Sequence, residues 1–299
     1  MAYPQVATDL DDVGTQGRHH SLASDTWRRL RRHRLAMVGM GIVFVLVAAA
    51  VAAPVISLYD PLKMDPPNAF QGPSLAHPLG TDEYGRDLLS RIIYGARTSL
   101  AVGIISVGIS MFTGTALGLI SGYYTGVADM VVSRLMDVLY AFPFLLLALV
   151  MIAILGTGID KVMIAIGLVY MPLFARVARG SVLAERGKAY VESAHMIGAR
   201  DGRIIRSHIL PNVLAPLIVQ ASLCMSYAIL AEAALSYLGL GTQPPTPSWG
   251  VMLNKGRDLI NHSVWLSIWP GLAIMMVVFA FNVLGDGLRD ALDPKLRNR

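Results

Sequence analysis

The chain has 299 residues, of which 54% are apolar and only 15% charged, where soluble domains carry about 25% charge; mean hydropathy is +0.54. This excludes a soluble enzyme, which would lack the polar surface to cover itself, and a disordered chain, which needs low hydrophobicity and high net charge. A single cysteine, Cys224, excludes an internal disulfide framework and a multi-cysteine zinc site. An all-α polytopic membrane protein remains.

Taken in chain order, residues 1–35 form a polar tail rich in arginine. A helix needs about 20 mostly apolar residues to cross a hydrocarbon core about 30 Å thick. The first charge-free run predicts such a helix over 36–58. Its apolar stretch exceeds the roughly 7–15 residues of a secretory signal and a long tail precedes it, so we expect a retained anchor. Residues 59–97 then read as a segment outside the membrane. It opens extended, with Pro61, Pro66, Pro67 and Pro73, continues through Leu79-Gly-Thr-Asp-Glu-Tyr-Gly-Arg-Asp87, and becomes helical and amphipathic over 86–97.

Residues 98–290 hold five further predicted helices, at 99–122, 138–156, 160–178, 213–238 and 264–286. That makes six transmembrane helices in all. The fourth rests on a short clean run between Lys161 and Arg176, and reaches spanning length only with its flanks. Between the fifth and sixth lies Gln243-Pro-Pro-Thr-Pro-Ser-Trp249, a stiff connector whose tryptophan is expected at the membrane interface. Residues 291–299 form a second polar tail. With the N-terminus inside, eighteen Lys and Arg residues fall on the cytoplasmic side and seven outside, so both termini are expected in the cytoplasm. The net charge of +5 is then a matter of topology, and no nucleic-acid partner is implied.

The cytoplasmic loop 178–212 is far longer than a connector needs to be. It reads as two short helices, 185–197 and about 201–209. Tyr190, Ala194 and Ile197 share one face of the first at helical spacing. Gly198 stands where that helix should end, the second carries Arg203 and Arg206, and Leu210-Pro211 leads back into the membrane. Such a helix pair suggests a docking surface. The loop contains Gly187-Lys188-Ala189 but not the glycine spacing or the Ser/Thr of a phosphate-binding loop, so the chain itself is not expected to hydrolyse ATP.

Glu192, Ala194, Gly198, Leu210 and Pro211 match the coupling-loop pattern of importer-type ABC permeases: Glu-Ala-Ala, three residues, Gly, nine residues, Ile, any residue, Leu-Pro. Ser193 replaces the second alanine and His208 the isoleucine. Leu79–Asp87, Gly95-Ala-Arg97, Ala215–Ala221, Gln243–Gly250 and Gly285–Pro294 resemble the dipeptide/oligopeptide branch, in particular its "C" subunit. The resemblance implies a type I ABC importer permease fold in the bacterial inner membrane. It implies as partners a second homologous permease subunit forming a heterodimer, two cytoplasmic ATPases that use ATP and Mg, and an extracytoplasmic solute-binding protein. It further implies a short-peptide cargo, with a nickel chelate, glutathione, an opine or an oligosaccharide as alternatives. Tyr190, Glu192, Ser193, Ala194, Ile197, Gly198, Arg203, His208, Leu210 and Pro211 would form the ATPase-coupling loop. Glu192 would supply a charge contact, Ala194 close approach and Gly198 the turn.

Glu232 is the other candidate. A carboxylate at membrane depth costs roughly 2.5–3.5 kcal/mol. It either lines a translocation cavity and meets the solute's charged amine, or is solvated near the outer interface, or is paired structurally with the other subunit. Gly114, Gly118 and Gly122 are spaced for close helix packing rather than for a hinge. No cluster has metal-ligand spacing and no nucleophile–base set is evident, so neither metal nor cofactor is expected on this chain. A proton-coupled secondary transporter would need membrane-embedded relays and internal repeats. Only Glu232 could serve as such a relay, and no repeat is visible.

Overall fold

The computed structural model describes residues 22–292; residues 293–299 of the expected 291–299 tail and most of the N-terminal tail lie outside them. The described residues are mostly helical, and their one β-type pairing is an isolated bridge between Thr81 and Asp87. Helix α1 (Leu22–Arg32) occupies part of the expected N-terminal tail. Helix α2 (Arg34–Ile56) begins after His33, whose Nδ1 accepts from the Ala36 N–H and caps it. Helix α2 thus covers most of the charge-free run expected at 36–58.

The segment after α2 is made of turns, with one 3₁₀ turn at Pro66–Asn68. Asp87 then caps α3 (Leu88–Tyr124), its carboxylate accepting from the Ser90 N–H at 2.8 Å. The amphipathic stretch and the second span are one continuous helix, since no proline separates them.

The third span departs from expectation. In place of one helix over 138–156, α4 (Gly126–Ala141) and α5 (Phe144–Leu155) meet at 97°. The break falls at Phe142-Pro143. Proline drives the residue before it out of helical backbone, and Phe142 sits at φ −85°, ψ 139°. The 12 residues of α5 rise only about 18 Å and cannot cross alone.

Helix α6 (Ile159–Arg186) overruns the predicted end at 178. Helices α7 (Ala189–Met196) and α8 (Asp201–Ile204) follow, but α8 does not stand free. A π turn at Ile205–Ile209 joins it to α9 (Leu210–Tyr237), so that Asp201–Tyr237 is one 37-residue rod. Pro211 accounts for the π turn. It has no N–H to donate and its ring crowds the preceding turn, and the widened turn lets the Leu210 N–H reach the Ile205 carbonyl five residues back.

Helices α10 (Trp249–Asp258) and α11 (Trp265–Leu292) complete the described chain. Trp249, at the start of α10, packs inside the protein. It is fully buried and its Nε1–H donates to the Ile92 carbonyl at 3.0 Å, with its ring over Gly95, where a Cβ would come within 2.9 Å. Five helical segments, α2, α3, α6, the α8–α9 rod and α11, are long and apolar enough to cross a membrane, and the bent α4–α5 pair supplies the sixth apolar segment.

The core is centred on α3 and α6. Cβ atoms on Gly114 and Gly118 would fall 2.5 Å from the Met171 and Ala175 carbonyls, and one on Gly122 would fall 2.8 Å from Val182. These glycines mark the line along which the two backbones touch. Ser106 and Ser110 hydroxyls reinforce it by donating to the Met163 and Gly167 carbonyls at 3.0 and 2.7 Å.

Candidate functional site

Helix α7 sits across the end of the bundle between α6 and the α8–α9 rod. Its sequence AYVESAHM places Val191 and Ala194 three residues apart, and both are buried against the core. Of the predicted face, Ala194 alone is buried: Tyr190 flanks the seat and Ile197 points away, 85% exposed. Met196 is equally open at 81%, and Glu192 and Ser193 are exposed beside it. Ser193 returns its hydroxyl to the Ala189 carbonyl at 2.9 Å. The helix therefore buries small apolar groups inward and presents a mixed apolar and acidic face outward.

Gly198 ends α7 at φ +78°. The Ala199 N–H donates to the Ala194 carbonyl at 3.0 Å and the Gly198 N–H to the His195 carbonyl at 2.9 Å. These are the two bonds of a Schellman cap, which needs a left-handed residue at this position. A Cβ here would meet nothing within 4 Å, so the requirement for glycine is one of backbone conformation alone.

Polar groups tie α7 to its neighbours. The Tyr190 hydroxyl donates to the Glu185 carboxylate, which also receives Lys188. Asn212 Nδ2 donates to the Tyr190 hydroxyl at 3.3 Å and to the His208 carbonyl at 2.7 Å. Burial, and then the bond to Glu185, pushes the Tyr190 phenol up to about 12, so it remains a donor at neutral pH. From the end of α3, Tyr123 donates to Asp201 Oδ1 at 2.9 Å and lies 3.3 Å from His195 Nε2. Arg186 donates to the Tyr123 carbonyl at 3.0 Å. Arg203 and Pro211 are exposed, while His208 and Leu210 are half-buried on the π turn and the start of α9. Sequence reasoning missed Val191, Tyr123 and Asp201. The Val191–Ala194 spacing was a usable signal, whereas Tyr123 lies too far away in sequence to be paired by pattern.

Glu232 belongs to a separate place in α9. It is fully buried. It accepts from the hydroxyls of Ser99 on α3 at 3.1 Å, Ser236 on α9 at 2.8 Å and Thr242 in the following loop at 3.4 Å. Its environment in this chain is a packed set of hydroxyls that joins α3, α9 and the 239–248 connector.

The Leu79–Asp87 motif forms a compact polar knot. Asp82 accepts from the Tyr84 and Arg86 N–H groups at 2.9 Å each and from Arg86 Nε at 2.6 Å, with Arg91 Nε at 3.5 Å. Asp82, Arg86 and Arg91 are all buried. Gly85, at φ +74°, lets this loop close on Asp65, whose carbonyl oxygen would stand 1.8 Å from a Cβ. Trp269 on α11 donates to the Leu79 carbonyl at 3.0 Å, so the knot is fastened to the last span. Among the described residues no group of three His, Cys, Asp or Glu side chains could hold a metal.

A bundle of long apolar helices, carrying a short helix seated on one end between two of them and a polar knot on the 60–97 segment, defines a polytopic membrane protein. The family follows from comparison. Residues 114–298 match the model described as binding-protein-dependent transport system inner membrane component, and residues 21–73 match the N-terminal TM domain of oligopeptide transport permease C. The chain belongs to this family of ABC importer permeases and is a multi-pass inner-membrane protein. It is 46% identical to a dipeptide transport system permease protein of Alkalihalophilus pseudofirmus over 92% of this chain and 90% of that one. It is 46% identical to a glutathione transport system permease protein of Pectobacterium atrosepticum over 91% of each. A di/tripeptide transport system permease protein of Pseudomonas aeruginosa is 45% identical, over 91% of this chain and 92% of that one. Two inward-facing crystal forms of the MetNI methionine ABC transporter share the fold, with TM-scores of 0.55 and 0.56 at 19% and 18% identity. They cover 68% and 69% of this chain and 96% and 98% of theirs.

Proposed function

We propose that this chain is one of two related permease subunits of an ATP-driven importer of short peptides, and that α7 is where its motor docks. The observation that carries the reading is the seating of α7. Its inward face is fixed by Val191 and Ala194, its outward face offers Met196, Ile197 and Glu192, and it hangs between α6 and the α8–α9 rod. A push on α7 is delivered at once to two long helices. Partner ATPases would bind ATP and Mg, since Gly187-Lys188-Ala189 cannot cradle phosphates. An extracytoplasmic protein would deliver the solute to the side carrying the 60–97 knot. The Lys/Arg bias supports a cytoplasmic position for α7 and both termini. The cargo reading rests on the relatives, whose names specify dipeptides, di/tripeptides and glutathione; all are short peptides.

The test is reconstitution of the chain with its co-encoded subunits and binding protein in vesicles, with peptide uptake and ATP hydrolysis read together. Ile197→Asp should lower peptide-stimulated hydrolysis and uptake at least about tenfold, as expected for a charge forced into an apolar contact, without loss of the assembled permease pair. Undiminished hydrolysis and uptake would remove α7 from the docking surface.

A further inference from the structure

We infer that α1 forms, with the start of α2, a binding site for the phosphate groups of anionic lipids in the leaflet facing the N-terminus. The inference rests on the cytoplasmic placement of that terminus only for the identity of the leaflet. Helix α1 ends Trp27-Arg-Arg-Leu-Arg-Arg32, and α2 opens on Arg34. Arg28, Arg31 and Arg32 recur at helical spacing on one face and are exposed, as is Arg34. The guanidinium of Arg31 stands 5.8 Å from the centre of the Trp27 ring, and Trp27 is itself 47% exposed.

Two contacts decide which face of α1 looks outward. Leu30 is buried with Ala36 and Ala291, and the half-buried Met40 and Leu288 pack against them. Gly287 makes room for this corner, since a Cβ there would lie 2.2 Å from that of Ala36 and 3.3 Å from Leu30 Cδ1. His33 adds a contact at 3.5 Å to Asp290 of α11. With Leu30 facing the protein, the arginines face away from it. A signal for membrane orientation requires only a number of positive charges; it does not require a helix clamped in this way.

Depth selects the ligand. Leu35 and Val38, 60% and 52% exposed, belong to the apolar surface of the first span, and the arginines lie within the turns just before it. That is the headgroup level, where a tryptophan and guanidinium groups are at home. Guanidinium forks match phosphate oxygens, and a basic cluster beside a span attracts anionic lipid.

The experiment places the full complex in nanodiscs with a photoactivatable phosphatidylglycerol or a photoactivatable phosphatidylcholine, followed by peptide mapping of the adducts. Adducts on 22–38 should be at least about tenfold more abundant with the anionic lipid. R28Q/R31Q/R32Q should abolish that preference, and R28K/R31K/R32K, which keeps the charge, should retain most of it. Equal labelling by both lipids would overturn the site, as would a Gln variant that labels like the parent. Cross-links from α1 to an acidic ATPase surface in place of lipid would overturn it as well. Protease access to an N-terminal epitope in inverted vesicles reports the leaflet separately. Anionic-lipid adducts with a protected epitope would keep the site and remove the cytoplasmic placement.

Discussion

Glu232 and Asp82 are both buried carboxyl groups, but their partners differ, and so should their mutants. Glu232 meets three hydroxyls from α3, α9 and the 239–248 connector. Hydroxyls can donate or accept, so a glutamine of the same shape can keep most of this pairing, whereas alanine strands buried hydroxyls at about 1–3 kcal/mol each and leaves a cavity. We expect Glu232→Ala to lower the melting temperature of the purified complex by several degrees and Glu232→Gln to lower it much less. If the two fall equally, the carboxylate itself rather than its shape and pairing holds this junction. Asp82 instead receives Arg86 and stands beside Arg91, both buried. Removal of one partner from a buried ion pair costs about 3–5 kcal/mol, and an asparagine's amide nitrogen cannot accept, so either the backbone N–H groups on one oxygen or the Arg86 Nε–H on the other would lose its acceptor. Asp82→Asn should therefore open the 60–97 segment to limited proteolysis, although the change is isosteric. A protease pattern identical to the parent's would mean that the knot does not depend on this charge.

At the scale of elements, the α3–α6 contact should be the least forgiving in the bundle. Ala175 and Ala178 leave no room at Gly118, where a Cβ would come within 2.5 Å of both the Ala175 carbonyl and the Ala178 Cβ. Gly108, on the same helix, has nothing within 4 Å of its Cβ position. Overpacking costs about 1–3 kcal/mol, while alanine for glycine in a helix gains about 0.5–1 kcal/mol. Gly118→Ala should thus lower, and Gly108→Ala leave unchanged or raise, the melting temperature of the detergent-solubilised complex. A loss of the same size at both would place the cost in helix propensity, not in contact. The small-residue spacing made this contact legible in the sequence, as charge-free runs did most of the spans. Other elements were hidden for physical reasons. A run free of charge is satisfied equally by a straight helix and by two short ones, so only Pro143 hinted at the break between α4 and α5. Gly198 was legible because a Schellman cap demands a left-handed residue, but the fusion of α8 with α9 was not, because the proline behind the π turn, Pro211, is equally at home in the first turn of a separate helix. The burial of Trp249 was not legible, because a tryptophan after prolines has the same pattern at a membrane interface as in a core. Whether it is buried depends on Gly95, on another helix.

For the molecule as a whole, the proposed coupling requires that a push at α7 reach the far end of the bundle without being absorbed. The α8–α9 rod of 37 residues extends about 55 Å, and it is tied to α3 near both ends. Ser99 meets Glu232 at one, and Tyr123 meets Asp201 at the other. Tyr123 also touches His195 of α7 and, through its carbonyl, Arg186 of α6, so a single residue of α3 reaches every helix that borders the loop. Asp201 is exposed, and water can replace the phenol as its partner, which limits the net stability change on loss of this bond to about 0.5–1.5 kcal/mol. The consequence should instead appear in transmission. Tyr123→Phe is expected to leave the melting temperature within a few degrees and ATP hydrolysis near the parent value, while the peptide imported per ATP hydrolysed falls several-fold. Asp201→Ala should do the same, and the double substitution should be no worse than the poorer single one, because both remove one bond. Additive losses would assign Tyr123 and Asp201 to separate tasks. An unchanged ratio of uptake to hydrolysis would mean that the Tyr123–Asp201 tie between α3 and the rod bears no part of the proposed stroke.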